Sequence, residues 1–411
     1  LVKKICIVTT RHISYNPRVL KEADALQGHG YEVVVVTINN HRLLRQFDEA
    51  LMRSRTWKLR TVDYRKELPQ EKKRWLFLSL QQKLFNYLSM ITLRGGIAER
   101  ASERAYDKLL DLAMHEKADL YIAHHAEALG VAYTAAKANG SHLGFDAEDF
   151  HTGMNESARA SRQETLISYL EKKYLSSCHF TTAASKGIAE AYRDKYGISQ
   201  PEVILNVFPF ERLPAGVVNN PVKFYWYSQV IGPNRGLELL LEAAGLVRMP
   251  FEIHLRGSLY SDDYRRQLEE KAEKSGIRQQ LFFHEPIVAE EIIRDGHHFD
   301  VGIALESDIT INRNICVTNK VFSYLMSGLA IVGTDTYGQK DIFSHFPRAV
   351  RICRMNNAGE LAAAMQFYIS HPDELKAAKA AAAHAAGEQF NWEKESAKLL
   401  ACIDQVLNHV N

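Results

Sequence analysis

The sequence predicts an α/β protein of two Rossmann-like, doubly wound domains, and three observations predict it. Short apolar runs of strand length alternate with segments whose apolar residues recur at helical spacing, the pattern of parallel strands joined by crossover helices. The 411 residues exceed what one ordinary core holds and suit two domains. Pro201, Pro209, Pro214 and Pro221 cluster in mid-chain and interrupt regular structure, as an interdomain linker does. The expected organisation is a first domain over 1–206, a linker over 207–221 and a second domain over 222–371. Helices over 372–411 follow, the last crossing back to the first domain.

In the first domain, residues 4–10 (KICIVTT) are an opening strand. A polar loop leads to Asn16 and Pro17, a helix cap and first helical residue: the Asn side chain accepts from a free N–H, and proline has none to leave unpaired. Val19, Ala23 and Leu26 form the buried stripe, Gly28 and Gly30 end the helix, and 31–38 (YEVVVVTI) is the second strand. Strands over 119–124, 142–147, 178–183 and 203–206 continue the sheet. Helices fill 126–139 and 162–175, and another runs from a Ser185 cap to Gly197. The loop after 142–147 gathers Asp146, Glu148, Asp149 and His151. Three acids and a histidine at the C-terminal end of a strand make a chemical site; capping and solvation are the plainer alternative.

In the second domain, 223–228 (KFYWYS) is a strand and 229–236 (QVIGPNRG) the loop after it, followed by a helix with Leu237, Leu240, Leu241 and Ala244 on one face. Strands over 251–257 and 281–285 come next, with Gly257 and Ser258 at the turn closing the first. Residues 299–341 organise this half. A strand over 299–305 and a polar loop precede a helix from Lys320, which Gly328 stops in the left-handed conformation. A strand over 329–332 and the loop 334–338 (TDTYG) follow. Two loops therefore leave the same end of a parallel sheet beside a helix N-terminus carrying Asn319 and Lys320. Free N–H groups and the helix dipole favour an anion there.

The segment NKVFSYLMSGLAIVGTD (319–335) resembles the donor-site segment of family 4-type GT-B glycosyltransferases, NK-x-x-E-Y-x-x-x-G-x-P-V-x-x-x-D. Residues 16–37 (NPRVLKEADALQGHGYEVVVVT) resemble the family's opening unit, and 171–206 the end of its first domain. The resemblance implies a GT-B fold, with the two domains facing each other across a cleft. It implies a nucleotide-diphospho-sugar as donor substrate, no cofactor and no metal, and transfer with retention to a glycan or lipid-linked acceptor. Arg235 and Lys320 would hold the diphosphate, with Gln229 where the family has another cation. Asn319, Thr334 and Gln339 would add hydrogen bonds. Ile315 and Ser323 stand where the family has a pair of glutamates, so Glu306 would replace the ribose-binding carboxylate. Glu148 and Asp149 would face the sugar or the acceptor hydroxyl; Asn16, Arg18 and His151 would lie on the acceptor side. The missing glutamate pair and Gln229 also fit a non-catalytic GT-B module that binds a saccharide or a partner protein. A sugar-nucleotide epimerase shares the fold and donor.

Composition sets the outer limits. Formal net charge is +2, with 46% hydrophobic and 24% charged residues, ordinary for a globular chain and no advertisement for nucleic acid. Five cysteines without metal-like spacing read as free thiols in a reducing compartment. No run approaches the roughly 18 apolar residues of a spanning helix, and the chain enters a strand at once, so a cytoplasmic protein is expected. Lys and Arg outnumber acids over 53–75, with Trp57, Tyr64 and Trp75 interleaved, and 76–91 is an apolar helix. This 53–91 region fits peripheral contact with an anionic membrane, but a solvated edge followed by a core helix is the preferred expectation.

Overall fold

In the computed structural model, which describes residues 2–155, 161–214 and 216–408, the chain divides into two units, Leu1–Ile204 with Ser396–Asn411, and Leu205–Glu395. The first unit holds β1 (Lys4–Thr9), β2 (Glu32–Asn39), β3 (Lys58–Asp63), β4 (Leu120–His124), β5 (His142–Ala147), β6 (Phe180–Ala183) and β7 (Glu202–Val203). They form one sheet in the order β3-β2-β1-β4-β5-β6-β7, every pair parallel. The second unit holds β8 (Val222–Ile231), β9 (Phe251–Leu259), β10 (Leu281–His284), β11 (Val301–Ala304), β12 (Ala330–Thr334) and β13 (Val350–Cys353), in the parallel order β10-β9-β8-β11-β12-β13. These are two Rossmann-like sheets, as expected. Each order reverses once, between β1 and β4 and between β8 and β11. Ligands of such sheets gather at the strand C-termini beside that reversal.

The apolar runs become central strands because helices cover both faces. Ile5, Cys6, Ile7 and Val8 are all fully buried, each aliphatic side chain worth about 1.5–3 kcal/mol of transfer free energy. The helix Pro17–Gly28 starts as expected, with Asn16 accepting from the Val19 N–H and Pro17 in the first position. Ser185 caps the helix Lys186–Tyr196 in the same way. Gly328 is left-handed, at φ +66°. In the first unit, Leu399, Ile403 and Leu407 of the last helix are buried, and Asp404 meets His29 and Tyr31.

Five local expectations change. Strand β3 lies inside the basic segment; its alternating half-exposure is that of an edge strand, whose outer face carries charge rather than apolar residues. Only Glu202–Val203 of the expected 203–206 strand pairs. Strand β8 runs on to Ile231, with a bulge between Tyr227 and Val230, so Gln229 sits in the strand and not in the loop. Gly257 likewise lies within β9 rather than at its end, opposite that bulge. The helix Pro69–Leu88 corrects the preferred reading of 53–91: Leu78 is its one buried residue, so it is not a core helix. Among the described residues, no helix is long and apolar enough to cross a membrane.

Gly257 has φ +148°, and a Cβ there would stand 2.3 Å from the Ser228 carbonyl oxygen. Only glycine allows so close an approach. Gly257→Ala is expected to destabilise the second unit by about 1–3 kcal/mol, seen as a lower urea midpoint; an unchanged midpoint would mean the bulge relaxes freely.

Candidate functional site

Each unit places polar residues at the C-terminal ends of the strands beside its reversal point. In the first unit these come from the helix after β1, from the end of β4 and from the loop after β5. Arg18, Glu22, His124 and Asp146 are almost wholly buried. Arg18 donates to both oxygens of Asp146, at 2.5 and 2.7 Å, and its remaining nitrogen donates to the Ile204 carbonyl at 2.6 Å. His124 bridges Glu22 through Nε2 (2.9 Å) and Glu148 through Nδ1 (3.0 Å), with Asp146 at 3.3 Å. Three carboxylates therefore surround two cations. Burial opposes a charge on His124, but Glu22, Glu148 and Asp146 outweigh it and push its pKa up to about 10.

Glu148 reaches the outer side of this network. Burial works against its charge too, yet the nearby histidines, the His124 hydrogen bond and Arg18 hold it well below the usual carboxylate range. Its Oε1 accepts from His124 and from the Asn16 amide (2.8 Å). Oε2 receives no hydrogen bond from the described residues. The Asn16 amide also reaches His125 Nε2 at 3.2 Å, which leaves the buried His125 Nδ1 unpartnered among the described residues. Burial lowers the His125 pKa to about 4, so this ring is neutral at pH 7. Its backbone has φ 68°, ψ 148°, a region costly for a side-chain residue and frequent at functional positions.

The structure thus joins Asn16 to Glu148. Arg18 is turned inward and wholly engaged, so it positions Asp146 rather than reaching a ligand. His151 is also turned inward, hydrogen-bonded to the Tyr192 hydroxyl at 2.9 Å, though its ring stacks edge-on against His125. Asp149 is half-exposed in the same loop, and its carbonyl accepts from Tyr192. Sequence reasoning missed Glu22, His124 and His125; two adjacent histidines at a strand's end were the available signal. Among the described residues, Glu22, His124 and Asp146 have metal-like spacing, with ligand atoms within 4.8 Å. A protonated His124 has no lone pair to give, and Arg18 already fills the electrostatic demand of Asp146, so the trio reads as an ion-pair core.

In the second unit, Glu306 follows β11 and Lys320 stands in the first turn of the helix Asn319–Met326. Lys320 Nζ donates to Glu306 Oε1 at 2.7 Å, Thr318 Oγ1 donates to the same oxygen at 3.1 Å, and Nζ lies 5.9 Å over the Trp226 ring. Thr318 makes no side-chain cap bond; the Val321 N–H donates to the Thr318 carbonyl at 3.1 Å, and the N–H groups of Asn319 and Lys320 have no partner among the described residues. Asn319 is exposed beside them. Thr334 and Gln339 are buried and bonded to each other (2.8 Å); Thr334 also joins the Glu306 backbone and Gln339 donates to Ala304 O at 2.9 Å. They brace the 304–306 turn instead of projecting from it. After β8, Arg235 donates to Ser228 Oγ at 2.9 Å, and Gly236 is left-handed at φ +77°, where a Cβ would press on Leu305. Gln229 is exposed on the strand. Ser323, in a position where the resembled family has glutamate, is buried on Tyr227. Sequence reasoning also missed Arg313, which donates to the Asn234 carbonyl at 2.9 Å and ties the loop before Arg235 to the stretch before Lys320.

No family model matches the chain, and no curated protein matches its sequence. Solved structures do match its fold. HepE from Anabaena, in complex with UDP, aligns with a TM-score of 0.69 at 12% identity over 98% of this chain and 100% of its own. A glycosyltransferase from Rickettsia africae gives 0.68 at 13% over 100% of both chains. Sucrose-phosphate synthase from Thermosynechococcus elongatus gives 0.66 at 14%, over 99% and 100% respectively. The fold is GT-B. At these identities the likeness carries the GT-B fold alone, and the chemistry rests on the residues above.

The raised pKa of His124 has a definite sign in stability. The folded ring keeps its proton to about pH 10, whereas an unfolded ring loses it near pH 6.5. Its contribution is therefore complete below about 6.5 and is lost as pH rises toward 10. In urea unfolding, the gap between wild type and His124→Gln should shrink across that window. A gap that stays constant would show a neutral ring.

Proposed function

We propose that this chain is a glycosyltransferase that uses a nucleotide-diphospho-sugar and transfers its sugar to a hydroxyl of a glycan or lipid-linked acceptor. The observation that carries this reading is the pair of cations after β8 and β11, the two strands flanking the reversal of the second sheet. Arg235 and Lys320 follow these adjacent strands, and Lys320 sits at an open helix N-terminus. HepE was solved with UDP and with UDP-glucose, and TarM from S. aureus with UDP. By that analogy the diphosphate would lie on Arg235, Lys320 and the N–H groups near Asn319. Lys320 would exchange part of its bond to Glu306 for phosphate, freeing Glu306 for a sugar hydroxyl of the nucleoside. Gln229 would add an uncharged donor.

In the transfer, the bond from the anomeric carbon to the leaving diphosphate breaks and a bond to the acceptor oxygen forms. Arg235 and Lys320 would carry the charge that develops on the diphosphate, which is work chain cations can do without a metal. A carboxylate held ionised as firmly as Glu148 is a poor proton acceptor but a strong fixed negative charge. We therefore assign Glu148, with Asp149 beside it, to the positive charge developing on the sugar; the acceptor proton leaves with the departing phosphate. Retention of configuration fits this assignment, since it asks for no strong base. A binding module without catalysis is favoured by one observation, the engagement of Glu306 by Lys320.

Calorimetric titration with UDP, GDP and ADP tests the donor site. Binding of one of them is expected, and Arg235→Ala or Lys320→Ala should each weaken it by about 10- to 100-fold, the loss of one charge-assisted hydrogen bond. No binding of any would refute the donor site. For transfer, Glu148→Gln should lower kcat by about 100-fold or more with nucleotide affinity unchanged, and a chelator should leave the rate as it was. Nucleotide binding with no sugar transferred to any acceptor would favour the binding module.

A further inference from the structure

The helix Pro69–Leu88 presents its apolar side to solvent. Phe77, Leu80, Leu84 and Tyr87 recur at three- and four-residue steps, so they form one row along its surface. They are 65%, 58%, 55% and 63% exposed, and Ile91, just beyond the helix, is 75% exposed. The opposite side, with the buried Leu78 and the half-buried Trp75, Gln82 and Phe85, faces the protein. The helix Arg42–Met52 adds two more exposed apolar residues one turn apart, Leu43 and Phe47. So long a row of exposed apolar side chains as that on Pro69–Leu88 is rare on a surface with no partner.

Charge says what the partner is. Much of the basic excess of 53–75 is spent within the fold, Arg55 on Asp24, Lys58 on Glu32, Arg60 on Glu116 and Arg65 on Glu71. Of the rest, Arg74 donates to the Asp63 carbonyl and Lys66 lies over the Trp75 ring, while Lys72 and Lys73 fall by the apolar row. Lys73 stands one turn before Phe77 on the same row, and Lys72 and Lys83 lie along its flank; all three are exposed and have no ion-pair partner among the described residues. Arg94 is exposed just past the helix. An apolar partner helix would have no use for unpaired lysines beside the row. An anionic lipid surface uses both parts, the acyl boundary taking the apolar side chains and the headgroups taking the lysines.

We propose that this face docks the protein on an anionic membrane, the helix lying in the plane of the interface without crossing it. The acyl region receives Phe77, Leu80, Leu84 and Tyr87, while Lys72, Lys73 and Lys83 meet phosphate headgroups.

Sedimentation with vesicles tests this, using phosphatidylcholine alone and an equal mixture of phosphatidylcholine and phosphatidylglycerol. The full chain should sediment with the mixed vesicles, far less with the neutral ones, and be released by high salt. The triple variant K72Q/K73Q/K83Q should lower the partition coefficient by about 100-fold. The double variant L80E/L84E should abolish binding, and a thermal midpoint equal to wild type would exclude unfolding, since both leucines are on the open side. Failure of the wild type to bind the mixed vesicles would overturn the proposal, as would variants that bind as well as wild type. Light scattering covers the other occupant: a wild-type dimer that L80E/L84E converts to monomer, without vesicle binding, would assign the face to a second copy of the chain.

Discussion

Parallel pairing constrains both halves of this molecule. A strand can join a parallel neighbour only through a crossover on one face of the sheet, so every strand in a sheet ends at the same edge. All adjacent strand pairs in both sheets are parallel. The loops leaving β1, β4 and β5 are thereby brought together in one unit, and those leaving β8, β11 and β12 in the other. Residues as distant in sequence as Asn16 and Glu148, or Lys320 and Trp226, meet for this reason.

The two clusters solve their electrostatics differently. In the first unit the charges are buried, and their desolvation is offset by short hydrogen bonds between opposite charges: Arg18 with Asp146, His124 with Glu22 and Glu148. Removing one member would leave another buried and unpaired, so the network is rigid. At its edge lie one carboxylate with an open oxygen, Glu148, and the buried, neutral ring of His125. In the second unit the cations make fewer bonds, Arg235 to a serine hydroxyl and the largely buried Lys320 to one carboxylate oxygen. Thr334 and Gln339, bonded beneath, brace the Glu306 turn.

The helix Pro69–Leu88 belongs to neither cluster and follows another rule. Its inner side anchors it, while its outer side keeps apolar residues and lysines that fold stability does not need. Surfaces of that kind persist where something outside the chain covers them.

Local chemistry in the sequence is enough for most of the strands, the caps at Asn16 and Ser185, the left-handed Gly328 and the doubly wound class, because each depends on residues within a turn or two; the edge strand β3 and the shortened β7 are not legible in this way. The positions of Arg235 and Lys320 after strands were equally legible, since a loop's place follows from its strand. Three things were decided only by tertiary structure. Arg18, expected on the acceptor side, is buried instead, because its partner Asp146 arrives from 128 residues away. The bulge that puts Gln229 inside β8 depends on Gly257 of the neighbouring strand. The apolar helix reads as core and is exposed. Periodicity tells which side of a helix is apolar, but whether that side is covered depends on what the rest of the chain packs against it.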